Sequence, residues 1–271
     1  DVGWNDVGFT AAPETRDAVA SATPAMDAFA SRGVRLSRYY GQPVCTVARV
    51  ALLTGLAPHK LGFSPPPGAE LTSRLINAFS NYSIPLGAPT LPQYLKAAAK
   101  YASDDERYEA WAIGKWNVGH CADEYLPTQR GFDYFLGYFN GNVGYESYRA
   151  DWYSYRNTPD GHHLEPLRDM VEITAPGATP IRVDQQPDDS FSTSGGGLST
   201  DERFARVALR KLDENADGDH GSRRPAFLYL GLHLVHDAAD FAAPLTLLDD
   251  ASALGLADYA QLLKRVDAEA R

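Results

Sequence analysis

The chain has 271 residues and a mass of 29.6 kDa; 44% of its residues are apolar, 22% are charged, and its formal net charge is −10. These are the proportions of one large α/β domain or two small ones, and they exclude a disordered tail, a collagen-like repeat and a coiled coil. The acidic balance and the lack of a basic stripe exclude nucleic acid as a partner, no apolar run reaches the ~18 residues of a membrane span, and Cys45 and Cys121 are too few for a disulfide scaffold. The chain starts at Asp1 without an initiator methionine and stops at Arg271 inside a helical pattern. It reads as a segment of a longer protein, so the lack of a visible leader carries no information.

In chain order, the acidic start Asp1–Asp6 comes first, and its carboxylates are hard oxygen donors of the type Ca²⁺ or Mg²⁺ takes. Thr23 is placed to cap a helix with Pro24 in its first turn, Met26, Phe29 and Ala30 as its apolar stripe, and Gly33 as its stop. Residues 34–39 read as a strand, and a helical pattern begins at Cys45, with Val50, Leu52 and Leu53 before Gly55. The sequon at Asn81 permits glycosylation in a secretory compartment, although such tripeptides also arise by chance. From Thr90 a second helix is expected to turn Leu91, Tyr94, Leu95 and Ala98 to one face.

Residues 109–113 read as a buried strand entering Gly114-Lys115-Trp116. Residues 141–197 form a loop-rich insertion, and a stretch of that length is expected to contain short hairpins. Ser199 and Glu202 have the spacing of a capping box, before a helix with Phe204, Val207, Ala208 and Leu212 inward. Residues 226–230 are a continuous apolar run, the pattern of a strand buried on both faces. Strand-like and helix-like segments thus alternate, which predicts an α/β fold on a mostly parallel sheet.

Besides the acidic start, three places carry residues suited to chemistry. Cys45 stands at the start of a helix, where free N–H groups and the helix dipole favour anionic sulfur or oxygen, and Arg49 follows one turn later. The alternative is a buried cysteine with a surface arginine. Lys115 follows a strand end and is either a cation facing an anion or a solvated loop lysine. His233 and His236 end the strongest strand; in extended chain they face opposite ways, so one of the two is structural.

The order of these blocks resembles the sulfatase family, within it the arylsulfatase B-like group. Asp1-Val2-Gly3-Trp4-Asn5-Asp6 resembles the end of the family's opening metal strand. Cys45-Thr46-Val47-Ala48-Arg49 with Leu53-Thr54-Gly55 resembles the modification motif C-x-P-S-R and its sequel. Gly114-Lys115-Trp116-Asn117-Val118-Gly119 is similar to G-K-W-H-L-G, the segment Leu126 to Asp133 to L-P-x-x-R-G-F-D, and the strand through His236 to one ending in V-H-E.

The resemblance implies a three-layer α/β/α fold of the alkaline-phosphatase and sulfatase type, here incomplete, with residues 1–271 as a partial N-terminal catalytic domain. It implies hydrolysis of sulfate esters, either aryl sulfates or sulfated carbohydrates. Cys45 would be oxidised to formylglycine by the formylglycine-generating enzyme. Arg49 would support the nucleophile, Lys115 bridge it to the sulfate, His236 and Asn117 contact substrate, and Asp1 and position 45 ligate Ca²⁺, with Mg²⁺ the lesser choice. A secretory location (lysosomal, extracellular or periplasmic) follows from the same resemblance.

Departures from the family pattern set a second expectation. Val47 stands where the maturation motif has proline, Ala48 where it has serine, and Asn117 where the family has a histidine able to take a proton. One aspartate of the first metal pair would precede Asp1, and a later Asp-Asn pair and a second lysine would follow Arg271. This segment alone is therefore expected to be inactive. The alternative is a sulfatase-like chain that has lost turnover and binds sulfated ligands. A phosphoesterase using unmodified Cys45 or Thr46 is a third reading.

Overall fold

Alternation along one central strand sets the layers. The computed structural model describes residues 2–64, 76, 80–98, 107–145, 147–150, 168–183, 200–217, 224–234 and 236. Strand β1 (Glu109–Lys115) is flanked by β2 (Tyr134–Tyr138) and β5 (Ala226–Gly231), both parallel to it. Beyond β2 lie β3 (Val171–Ile173) and β4 (Ile181–Arg182), each antiparallel to its neighbour. The sheet is therefore mixed, in the order β4-β3-β2-β1-β5. Its three central and edge strands that carry the site are parallel, and the β3–β4 hairpin lies inside the loop-rich insertion.

Side chains of β1 point alternately to opposite faces. Ala110 and Ala112 pack with Val50 and Leu53 of helix α3 (Cys45–Thr54), with Phe132 and Phe135 completing that core. Trp111 and Ile113 point the other way, to Phe204, Val207 and Ala208 of the long helix α5 (Thr200–Asp217). The result is helix, sheet, helix: three layers. Among the described residues no helix is long and apolar enough to cross a membrane.

The parallel strands meet at a row of glycines near their C-terminal ends. Gly137, Gly114 and Gly231 lie side by side across β2, β1 and β5. A Cβ on Gly114 would fall 2.1 Å from the carbonyl oxygen of Gly231, and Gly114 also has φ +103°. Only glycine fits there. The bare backbone leaves room for a side chain from α3 to reach across the strand ends.

Several expectations are corrected. Helix α2 (Pro24–Ser31) forms, but Thr23 does not cap it; the Thr23 hydroxyl accepts from Gly8 N–H and donates to Val19 O. Residues 34–39 form no strand, because no ladder partner lies beside them among the described residues, and Val34 and Tyr39 are exposed. Helix α4 (Leu91–Ala98) turns Tyr94 and Ala98 outward and buries Pro92 instead. It is oriented by Lys96, which pairs with Asp133 at 2.6 Å, and by Gln93, which accepts from Thr90 N–H.

On α5, Phe204, Val207 and Ala208 are buried as the pattern predicts, but Leu212 is exposed; at this end of the helix Lys211 lies over the Tyr134 ring of β2 and Asn215 bonds Arg224 O. Ser199 of the expected capping box lies outside the described residues. β5 is only half buried, Leu230 being 40% exposed, because it is an edge strand among the described residues. Helix α1 (Arg16–Ala20) is a single short turn.

Candidate active site

Helix α3 starts at Cys45 after Val44, an extended residue whose side chain makes no capping bond. The positive end of the helix is therefore presented at Cys45. One turn on, Arg49 reaches over the glycine row: its Nη1 donates to Lys115 O at 2.7 Å and to Tyr229 Oη at 2.5 Å. Lys115 ends β1 and is 2% exposed, yet its Nζ makes no regular hydrogen bond among the described residues. It is a buried cation facing Cys45.

The electrostatics follow from that placement. Burial alone would raise the Cys45 thiol, but a hydrogen bond with His236 and the nearby charge of Lys115 outweigh it and bring the pKa down to about 6. Burial lowers Lys115 to about 8, with Cys45 opposing the shift and Arg49 adding to it. Iodoacetamide alkylation of unmodified Cys45 should therefore rise with pH around a midpoint near 6, read by mass spectrometry of the peptide. In Lys115→Met the midpoint should move upward; no movement would deny Lys115 its influence on the thiol.

His236 is held from three sides. Its N–H donates to His233 O at 2.9 Å, and its carbonyl accepts from the Tyr145 hydroxyl. Asp201, in the first turn of α5, accepts from the N–H groups of His233 at 2.7 Å and Leu234 at 3.2 Å. Asp201→Ala would strand those buried donors. It should cost about 2–4 kcal/mol in urea unfolding, and a loss within experimental error would show that the turn stands without it.

His233 itself is enclosed: Thr200 Oγ1 lies 3.2 Å from Nδ1, Asn142 Oδ1 lies 3.0 Å from Nε2, and the Tyr145 ring packs at 4.4 Å. Of the two histidines, His236 is the one that reaches Cys45. Asn117 is fully buried, and both halves of its amide are engaged: Oδ1 accepts from Thr46 Oγ1 at 2.9 Å and Nδ2 donates to Ile76 O at 2.9 Å. Thr46 Oγ1 in turn accepts from Ile76 N–H at 3.2 Å. Asn117 sits at φ +52°, a left-handed conformation its side chain tolerates better than most.

Cys45, Arg49, Lys115 and His236 thus arrive from α3, the end of β1 and the turn after β5. A profile of the sulfatase family matches residues 1–269. The chain belongs to the sulfatase family.

Sulfatases from animals align with most of it. Arylsulfatase J of Mus musculus is 27% identical over 236 residues, which are 87% of this chain and 31% of that protein. Arylsulfatase G of Rattus norvegicus is 28% identical over 256 residues, 90% of this chain and 41% of that one. N-acetylgalactosamine-6-sulfatase of Homo sapiens is 31% identical over 145 residues, 53% of this chain and 25% of that one. The sulfatase chain described here spans less than half the length of these relatives. In three dimensions it resembles the crystal structure of Ps i-CgsB in complex with k-i-k-neocarrahexaose, with TM-score 0.63, 22% identity, and coverage of 100% of this chain and 51% of that one. That likeness shows a shared fold.

The Ca²⁺ of sulfatases would need six to eight oxygen donors. Asp1 lies outside the described residues, and Asp6 uses its carboxylate on Gly3 N–H at 2.6 Å. No group of three His, Cys, Asp or Glu side chains among the described residues could hold a metal ion, so these residues do not make up the ion's donor set. Cys45 and Cys121 are both free thiols. Tyr229, Tyr145 and Asp201 were not singled out by the sulfatase motifs. Asp201 carried a signal, an acid in a helix's first turn beside a threonine; a tyrosine inside an apolar strand carried none.

Proposed function

We propose that this chain is the nucleophile-bearing part of a sulfuric ester hydrolase of arylsulfatase type. The convergence of Cys45, Arg49, Lys115 and His236 at the C-terminal ends of parallel strands supports that reading, because three cationic or proton-bearing groups surround one nucleophile position. Oxidation of Cys45 to formylglycine supplies an oxygen nucleophile at that position. Lys115, buried and facing the residue at 45, is placed to neutralise charge on the sulfuryl oxygens. Arg49 is anchored by Lys115 O and Tyr229, so it holds the strand end and adds positive potential. His236, bonded to the residue at 45, is placed to hold a proton during transfer to the leaving alcohol.

The substrate is an ester of an aryl alcohol or a carbohydrate. N-acetylgalactosamine-6-sulfatase among the relatives and the neocarrahexaose held by Ps i-CgsB support the carbohydrate class. Family membership supports a secretory location and the formylglycine-generating enzyme as a transient partner.

A second reading is a binder of sulfated ligands without turnover. It is favoured by Val47 at the motif's proline position and by Asn117, whose amide is already committed to Thr46 and Ile76. Mass spectrometry of the Cys45 peptide from full-length protein made in its own host separates the two. Formylglycine together with hydrolysis of 4-nitrophenyl sulfate in the presence of Ca²⁺ is the expected result. Unmodified cysteine with no hydrolysis would replace the enzyme reading by the binder.

A further inference from the structure

The end of the sheet opposite Cys45 holds a cavity of about 690 Å³. β1 runs from Glu109 at this cavity to Lys115 at the candidate active site, about 20 Å away at strand rise. Its size is that of an ordinary small-molecule site. Four cations line it (Lys96, Arg107, Lys211 and Arg224) against two carboxylates, Glu109 and Asp133. In a chain of net charge −10 that is a local reversal of sign.

Both carboxylates are engaged. Asp133 takes Lys96 Nζ at 2.6 Å and Ala110 N–H at 2.9 Å, and Glu109 takes Trp111 Nε1 at 3.1 Å. Lys211 bonds Glu214 at 2.8 Å and stands 4.7 Å from the centroid of the Tyr134 ring. Arg224 differs. Its Nε is buried and has no hydrogen-bond partner among the described residues.

The Arg224 backbone, in contrast, is fixed. Asn215 Nδ2 donates to Arg224 O at 3.0 Å, and Glu109 N–H donates to the neighbouring Pro225 O at 2.9 Å. A buried guanidinium N–H without an acceptor is stabilised by any acceptor that arrives. Arg also offers a planar fork suited to sulfate and phosphate oxygens. Ala97, Ala175 and Pro176 add apolar wall beside it.

We propose that this cavity is a second ligand site, which binds an organic oxyanion, a sulfate or phosphate ester, with its charged group on the Arg224 guanidinium and its body on the apolar wall. The proposal does not depend on turnover at Cys45. Its location on rigid strand starts, away from the glycine row, makes it a binding site without chemistry of its own.

Isothermal titration with phenyl sulfate and with phenyl phosphate tests this on the chain carrying Cys45→Ala and Lys115→Met, which silence the other site. The expected result is saturable binding of at least one probe, weakened at least about tenfold by Arg224→Leu and partly restored by Arg224→Lys. The tighter probe identifies the anionic group. Circular dichroism and thermal melting should show Arg224→Leu folded like its parent, since its buried Nε has no hydrogen-bond partner among the described residues to lose. Binding unchanged in Arg224→Leu, or no binding of either probe at 10 mM, would overturn the proposal.

Discussion

Lys115→Met should lower kcat/KM of the full-length protein for 4-nitrophenyl sulfate by about 10²–10³-fold, the usual effect of removing one group that stabilises developing charge, and should at the same time make the folded protein more stable. The two effects have one cause. Lys115 is 2% exposed and its Nζ has no hydrogen bond among the described residues, so its charge is desolvated without full compensation. Methionine has similar length and no charge to desolvate.

The gain in stability should depend on pH. The folded-state pKa of Lys115 is lowered from 10.5 to about 8, so the folded state disfavours the proton, and that cost fades as pH rises from about 8 toward 10.5. Cys45 is lowered to about 6 from 9.0, so it adds stability at high pH that is lost as pH falls through about 6. Near pH 5 the lysine is buried opposite a neutral thiol, and methionine should help most. By pH 8 the thiolate compensates the lysine and the advantage should shrink. Urea midpoints of the unmodified Cys45 form at both pH values, beside steady-state kinetics of the formylglycine form, check this; a variant less stable than its parent at pH 5 would refute it.

Gly114→Ala should be among the most destabilising single-methyl changes in the sheet. Its new Cβ would stand 2.1 Å from Gly231 O, and φ +103° is unfavourable for any side chain. The obstacle is backbone of a strand locked in the same ladder, so it cannot swing aside. A cost above about 4 kcal/mol is expected, read as insoluble protein or a melting temperature lower by roughly 8–16 °C. Gly177 is the internal control: it has φ +80° but nothing within 4 Å of its Cβ position, so Gly177→Ala should cost only about 1–2 kcal/mol. Equal melting of the two variants would mean that dihedral strain, and not the crowded strand crossing, governs Gly114.

These predictions rest on parts of the molecule that were unequally legible in the sequence. β1 and β5 were readable because continuous apolar runs leave few other conformations. Cys45 at a helix start and Lys115 at a strand end were readable because local pattern sets both positions. What joins them was not. The glycine row requires knowing that Gly114 lies between Gly137 and Gly231, a matter of register between segments far apart in the chain. The face of α4 was misread because Lys96 finds Asp133, 37 residues on, and that pairing overrides the apolar stripe. Residues 34–39 have strand composition but no ladder partner among the described residues, and composition cannot supply one.

The triangle of Asn117, Thr46 and Ile76 constrains how this site can evolve. An isolated Asn117→His exchange, the change that would bring the residue to the family's histidine, leaves one ring acceptor and one N–H, in a different geometry, to serve Thr46 and the Ile76 carbonyl. Its use as a proton acceptor thus competes with its use as a hydrogen-bond partner of the first turn of α3, next to Cys45. The two positions are coupled: a ring nitrogen that accepts from Thr46 is not free to take a proton, and a residue at 46 without a hydroxyl takes the donor from Asn117 Oδ1. Substitutions at 46 and 117 should therefore be non-additive, so the effect of restoring the family's histidine depends on which residue stands one position after Cys45.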